Sequence, residues 1–121
     1  MTNNKRCILE ALSLTDDYAN LEWGTPPRNA ATVATILSLD VSNVARTLRN
    51  MERQGLVQAE DRMVDVWCEV PKPAHYPRQM RCYWRTDTMG QDKAAADTWQ
   101  AGSKERGRKA EEKMLAMMLQ G

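Results

Sequence analysis

Hydrophobic residues between positions 29 and 60 recur at helical spacing in two short runs. The two sets of apolar positions are Ala31, Val33, Ala34, Ile36 and Leu37, and then Val44, Ala45, Leu48 and Met51. Both sets follow the spacing of a helix with one buried face. Between them Leu39–Val41 interrupts the pattern, Ser42 is a favoured N-cap residue, and Gly55 stands where a helix commonly ends. The pattern therefore predicts two short helices joined by a tight turn.

The polar face of the second predicted helix carries side chains that match the chemistry of DNA. Arginine and asparagine present donors that fit guanine and adenine edges, and both also reach phosphates. A helix pair with a tight turn places its second helix in a major groove. We predict base contacts from Asn43, Arg46, Thr47 and Asn50, and contacts to the DNA backbone from Ser42, Arg49 and Arg53. The alternative is a solvated helix face, although only Glu52 opposes the arginines.

Alternating apolar and polar residues on either side of a proline-rich segment predict a β-hairpin. Pairing the strands about His75 sets Val64, Val66, Cys68 and Val70 opposite Thr86, Trp84, Cys82 and Met80. The other face then pairs Asp65 with Arg85, Trp67 with Tyr83, and Glu69 with Arg81. Pro71, Pro73 and Pro77 place the connecting loop at residues 71–79. Lys72 and Arg78 in this basic loop are predicted to contact the DNA backbone.

The run DVSNVARTLRNMERQGLV, the hairpin and the following WRTDTMGQ segment carry a family resemblance over residues 30–90. This part of the chain resembles a winged helix-turn-helix domain of the bacterial MarR/ArsR-like transcription regulator class. The resemblance implies an α+β fold with a three-helix core and a β-hairpin wing. It also implies sequence-specific binding of double-stranded DNA by a small prokaryotic or phage transcription regulator. On this basis Asn43, Arg46 and Thr47 lie on the recognition helix, and Lys72 and Arg78 lie on the wing.

The segments that flank this region complete the predicted organisation. A first helix from about Asn4 to Leu14 has a core face of Ile8, Leu9, Ala11 and Leu12. A long loop follows at residues 15–29. Residues 1–87 are predicted to form the DNA-binding domain, and residues 88–121 a helical extension with Asp87 as its N-cap and a break at Gly102 and Ser103.

The helical extension ends in an apolar patch without an obvious local partner. We predict a homodimer interface formed by Trp99, Met114, Leu115, Met117 and Met118. Folding of the patch onto the body of the protein, or binding to a different protein, are the alternatives.

Charge and composition support a globular protein with its basic residues in the predicted DNA-binding region. Positions 41–85 contain eight Lys/Arg and five Asp/Glu, whereas the first forty positions contain three and five. The chain has neither a run long and apolar enough for a membrane span nor a secretory signal, so we expect a cytoplasmic protein without a membrane partner.

Candidate chemistry for an enzyme or a metal site is sparse. Cys7, Cys68 and Cys82 do not form a secreted disulfide framework, and His75 is the only histidine. Cys68 and Cys82 are expected to face each other as a packed reduced pair, with a redox switch as the alternative. No phosphate-binding loop or nucleophile elbow occurs. We therefore predict no catalytic residues, no metal and no cofactor, and the sequence identifies no small-molecule effector.

Two other functions compatible with the pattern are a winged-helix module for protein–protein contact and a DNA-binding accessory protein of replication or recombination. The protein-contact module would use Trp67 and Tyr83 on the outer hairpin face together with the methionine-rich tail.

Overall fold

A computed structural model describes residues 3–120 and shows an α+β protein, which confirms the α+β part of the predicted fold. Residues 1, 2 and 121 of the two predicted domains lie outside the described part. The helices are α1 (Asn3–Leu12), α2 (Asp17–Trp23), α3 (Ala30–Leu37), α4 (Val41–Arg53), α5 (Met89–Ala101) and α6 (Ser103–Gln120). The strands are β1 (Arg28–Asn29), β2 (Val57–Cys68) and β3 (Ala74–Arg85), and a short 3₁₀ turn covers Thr86–Thr88.

The three strands form one antiparallel sheet in the order β1-β3-β2. β2 and β3 make the predicted hairpin, but the predicted register is wrong. Their ladder runs from Val57 opposite Arg85 to Cys68 opposite Ala74, so it is centred on Pro71 rather than His75. The connecting tip is therefore only Glu69–Pro73, and we call these residues the hairpin tip.

The register differs because residues 74–79, predicted as loop, continue β3. Pro77 pairs with Asp65 inside the ladder. Since β1 pairs only with Tyr83 and Cys82, β3 has an open edge along the rest of its length. An open edge is where a sheet tolerates the missing N–H of proline.

The predicted cross-strand pairs are lost with the register. Cys82 lies opposite Glu60 and Cys68 opposite Ala74, so the two thiols do not face each other. Trp67 lies opposite His75 instead of Tyr83, and their rings meet edge to face with centroids 5.3 Å apart. The expected charge pairs Asp65–Arg85 and Glu69–Arg81 are absent from the ladder of described residues as well.

Helices α1, α3 and α4 cover one face of the sheet and enclose the main core. The buried residues of this core are Ile8, Leu9, Ala11, Leu12, Val33, Ala34, Val44, Leu48, Met51, Val57 and Tyr83. The core face predicted for the first helix is confirmed, although α1 ends at Leu12 rather than Leu14. Tyr83, predicted on the outer face with Trp67, is buried in this core because it lies at the root of the hairpin.

Helix α2 occupies part of the segment that was predicted as a long loop. Asp16 caps it by accepting a hydrogen bond from the Ala19 amide at 2.8 Å, and Gly24 ends it with a φ of 78°. The hydrophobic pattern misses this helix because its large apolar residues Tyr18 and Leu21 are exposed. A helix that buries little apolar surface leaves no core-facing stripe in the sequence.

Arg28 fastens α1 and α2 to the sheet from a buried position. Its guanidinium donates to the carbonyl oxygens of Ala11 at 2.8 Å, Leu14 at 2.7 Å and Gly24 at 2.9 Å. These carbonyls lie at or just beyond the ends of the two helices, where backbone acceptors lack helical partners and a cation is favourable. Burial lowers the pKa of Arg28, and the charges of Asp92 and Asp16 oppose this effect.

Helix α5 packs on the other face of the sheet, against the buried ring of Trp84. The indole N–H donates to Glu60 at 3.1 Å, and the Lys93 ammonium lies 5.5 Å from the ring centroid. α5 begins after Thr88, so the predicted N-cap Asp87 is wrong. The carboxylate of Asp87 instead accepts from Arg85 Nε at 2.6 Å.

The helical extension breaks between α5 and α6 at Gly102, as predicted. Every residue of α6 except Arg106 is exposed. Among residues 3–120, no helix combines the length and apolarity needed to cross a membrane.

Candidate functional site

The turn between α3 and α4 is short and closed by backbone hydrogen bonds. Ser38 adopts the left-handed conformation, with φ 54° and ψ 47°. The Leu39 amide then donates to the Ala34 carbonyl at 2.9 Å, a bond typical of a helix that ends in a left-handed residue. Asp40 caps α4 by accepting from the Asn43 amide at 3.1 Å. The predicted N-cap, Ser42, is therefore wrong and lies in the first turn of α4.

Helix α4 buries the predicted stripe and exposes the predicted contact face. Val44, Leu48 and Met51 are buried, and Ala45 is half-buried. The exposed contact residues are Ser42, Asn43, Arg46, Arg49, Asn50 and Arg53. Thr47 is half-buried, and its hydroxyl donates to the Asn43 carbonyl at 2.9 Å. One face of α4 is thus held by the core while the other presents arginine and asparagine to solvent.

The arginines of this face are little engaged within the protein. Arg53 donates to the Asn50 side chain at 3.3 Å. Between residues 3 and 120, Arg46 and Arg49 have no hydrogen-bond or ion-pair partner. Their charges are therefore available to an external anion.

The carboxylate of Glu52, on the flank of the same helix, is bound by Arg81 from β3. One terminal nitrogen of Arg81, Nη2, lies 2.8 Å from Oε1 and 2.6 Å from Oε2 of Glu52. This contact is the main cause of the raised pKa of Arg81. This contact was not expected from the sequence, because the predicted register placed Arg81 opposite Glu69. Opposite charges alone did not reveal a pairing between a helix and a strand.

The two hairpin residues predicted to contact DNA are not brought together. Lys72 lies in the hairpin tip, and Arg78 lies within β3 opposite Val64. Because strand side chains alternate between faces, Arg78 and Arg81 point to opposite faces of the hairpin. The hairpin tip carries only Glu69 and Lys72 as charged residues, so it lacks the basic character predicted for a longer loop.

The residues of the predicted dimer interface differ in how far they are covered. Trp99 is half-buried, and the Arg106 guanidinium lies 3.5 Å from its ring centroid. The four predicted interface residues that lie in α6 expose 59% to 74% of their surface in the single chain; they are Met114, Leu115, Met117 and Met118. We call these four residues the α6 patch.

Thiols and potential metal ligands are dispersed. Cys82 is buried and its pKa is raised, chiefly by desolvation. Cys68 is half-buried and Cys7 is exposed. In the part of the chain that is described, no group of three or more His, Cys, Asp or Glu residues could hold a metal ion.

Comparison with known proteins assigns the chain to no family: no family model, no curated protein and no solved structure matches it significantly. The fold and the site define an α+β protein with an arginine-rich helix face beside a long hairpin.

Proposed function

We propose that this chain is a winged helix-turn-helix protein that binds double-stranded DNA sequence-specifically, with α4 as the recognition helix and the β2–β3 hairpin as the wing. The observation that carries the proposal is the exposed face of α4. It presents Arg46 and Arg49 without partners in the described chain, while the one carboxylate of the helix is bound by Arg81. A helix that is anchored on one face and cationic on the other suits a major groove.

The proposed contacts divide into two kinds. Asn43, Arg46, Thr47 and Asn50 contact base edges, whereas Ser42, Arg49 and Arg53 contact phosphates. The Thr47 hydroxyl donates to the backbone carbonyl of Asn43 but retains its capacity to accept a hydrogen bond. Lys72 at the wing tip and Arg78 on its strand add backbone contacts. Since the tip itself is nearly neutral, we propose that α4 supplies most of the electrostatic attraction.

We further propose that the protein binds DNA as a homodimer through the α6 patch, with Trp99 at the edge of the interface. In proteins, most helical stability comes from packing of an apolar face, yet α6 has eighteen residues and buries none of them in one chain. A second copy would cover this face. Two recognition helices related by a dyad would contact half-sites about 34–36 Å apart. The same contacts would serve a transcription regulator or an accessory protein of replication or recombination.

A protein–protein contact module is the second candidate function. It is favoured by Trp67, which is 55% exposed on the outer hairpin, and by the α6 patch. Tyr83 does not support it, because the ring is buried in the core.

Selection of bound duplexes from a random DNA pool tests the proposal, with wild type, Arg46→Ala and Arg6→Ala compared directly. Arg6 is an exposed arginine of α1 and serves as the matched control. We expect wild type and Arg6→Ala to enrich a palindromic motif, and Arg46→Ala to lose or relax it. Enrichment of a single half-site would retain DNA binding but contradict the dimer. Absence of enrichment by any of the three proteins at low salt would favour the protein-contact module.

A further inference from the structure

The Glu52–Arg81 pair joins the proposed recognition helix to the proposed wing at the solvent boundary. Its side chains are 30% and 53% exposed, respectively, and one nitrogen of Arg81 contacts both carboxylate oxygens. Exposed ion pairs contribute little to folding stability. The β2–β3 ladder and the buried residues at its root already position the hairpin. Stability therefore does not explain why α4 carries a carboxylate here.

An unpaired carboxylate at position 52 would weaken DNA binding in two ways. It would repel phosphates near α4, and water and salt would screen that repulsion only partly at such short range. It would also lie three positions after Arg49 on the same helix, the spacing at which opposite charges pair. Glu52 would then draw Arg49 away from a phosphate. Binding of Glu52 by Arg81 prevents both effects.

We propose that Arg81 is a positioning residue for DNA binding, which masks Glu52 and leaves Arg49 free, and that it makes no phosphate contact of its own. This inference rests on the proposed function. It assigns Arg81 a role through Glu52 and Arg49, because Nη2 of Arg81 donates to both oxygens of the Glu52 carboxylate.

A double-mutant cycle distinguishes masking from direct contact. The proteins are wild type, Arg81→Ala, Glu52→Gln and the double variant, and the readout is the dissociation constant for the selected duplex across a range of KCl concentrations. We expect Arg81→Ala to weaken binding about tenfold at low salt, because the uncovered Glu52 carboxylate would repel nearby phosphates at short range. The double variant should return to within about twofold of wild type, since no carboxylate is left to mask. Arg81→Lys, which keeps the charge, should bind nearly as wild type does.

The matched control is the Arg108–Glu105 pair of α6, whose Nη2–Oε1 distance of 2.6 Å is similar. Arg108→Ala changes the net charge by the same amount away from α4, and it should leave the affinity unchanged. Urea denaturation of each variant excludes a loss of folding as the cause.

Three outcomes would overturn the inference. A double variant as weak as Arg81→Ala would show that Arg81 contacts DNA directly. Equal affinity of all four proteins would show that the pair has no role in binding. A wild-type protein that binds no duplex would instead refute the proposed function, and the masking role with it.

Discussion

Ser38 adopts a backbone conformation that its side chain disfavours. Its φ of 54° lies in the left-handed region, where residues with a Cβ are typically about 1 kcal/mol less stable than glycine. This conformation lets the Leu39 amide donate to the Ala34 carbonyl and turns the chain directly into α4. The unfavourable conformational free energy of this turn is therefore localised at Ser38, where a substitution can test it.

We predict that Ser38→Gly raises the free energy of unfolding by about 0.5–1 kcal/mol, since glycine adopts this conformation without a steric penalty. Ser42→Gly is the matched control. It places the same substitution inside α4, where it should lower stability by a similar amount. Urea titrations of both variants measure the effect. A destabilised Ser38→Gly variant would contradict the prediction.

Asp92 supplies a pH-dependent contribution from a buried position at the start of α5. Burial raises the pKa of Asp92, while a hydrogen bond from the Thr88 hydroxyl at 2.7 Å opposes the shift. Because the folded pKa lies above the unfolded one, Asp92 contributes stability below its unfolded pKa. That contribution is lost as pH rises through the folded pKa.

Asparagine does not ionise, so Asp92→Asn removes the loss of stability at higher pH. Its amide oxygen can still accept the hydrogen bond from the Thr88 hydroxyl. We therefore expect the stability of the variant relative to wild type to increase as pH rises through the acid range, and then to level off. Urea denaturation at a series of pH values provides the test, with Asp97→Asn on the exposed side of α5 as the control. A stability difference that does not change with pH would refute the prediction.

At the scale of elements, the sequence predicted those structures whose apolar residues face the core. α1, α3 and α4 follow this rule, whereas α2 does not because Tyr18 and Leu21 are exposed. The hairpin register could not be predicted for a related reason. The alternation of apolar and polar residues indicates which side chains share a face of the hairpin. It does not determine which residues pair across the two strands, because sliding one strand by two residues leaves every side chain on the same face.

The same limit applies to the candidate site. The exposed face of α4 could be predicted from the spacing of its apolar residues, because a helix that buries one apolar face exposes the opposite face. The Glu52–Arg81 contact joins two residues that are 29 positions apart along the chain. It depends on the register and on the packing of α4 against the hairpin, and neither is encoded in a local pattern.

The outer part of the β2–β3 hairpin extends well beyond the core, so we expect the protein to fold without it. Each strand has twelve residues, which corresponds to about 40 Å at the usual rise. Replacing residues 63–79 with Asn-Gly, a favoured two-residue hairpin turn, would join Arg62 to its partner Met80. We expect the free energy of unfolding to change by no more than about 1 kcal/mol, because the shortened connection lies outside the core.

DNA binding should respond differently, since the shortened hairpin lacks Lys72 and Arg78. We predict weaker binding and a salt dependence whose slope is smaller by about 2. Salt titrations of binding measure the slope, and the Lys72→Ala/Arg78→Ala variant with a full-length hairpin is the control. Unchanged affinity and slope would show that the wing does not contact DNA.

At the scale of the whole molecule, residues 3–120 bury no residue of the long helix α6. α6 spans eighteen residues, or about 27 Å, and its apolar residues gather near its C-terminal end. Trp99 and Arg106 contact each other where α5 meets α6. A self-complementary contact through the α6 patch would bury this surface and fix the separation of two α4 helices.

We predict that Leu115→Lys/Met118→Lys converts a dimer into a monomer. The two lysines of each chain would place four positive charges in the symmetric interface without acidic partners. Ala116→Lys, on the opposite side of α6, is the matched control and should remain dimeric. Sedimentation equilibrium measures the association, and binding to a palindromic duplex and to its half-site measures the consequence. The double variant should lose at least about a hundredfold in affinity for the palindrome, while half-site binding is unchanged, because linkage of two sites raises affinity without new contacts. A wild-type protein that sediments as a monomer, or a double variant that binds the palindrome as wild type does, would exclude α6 as the dimer element.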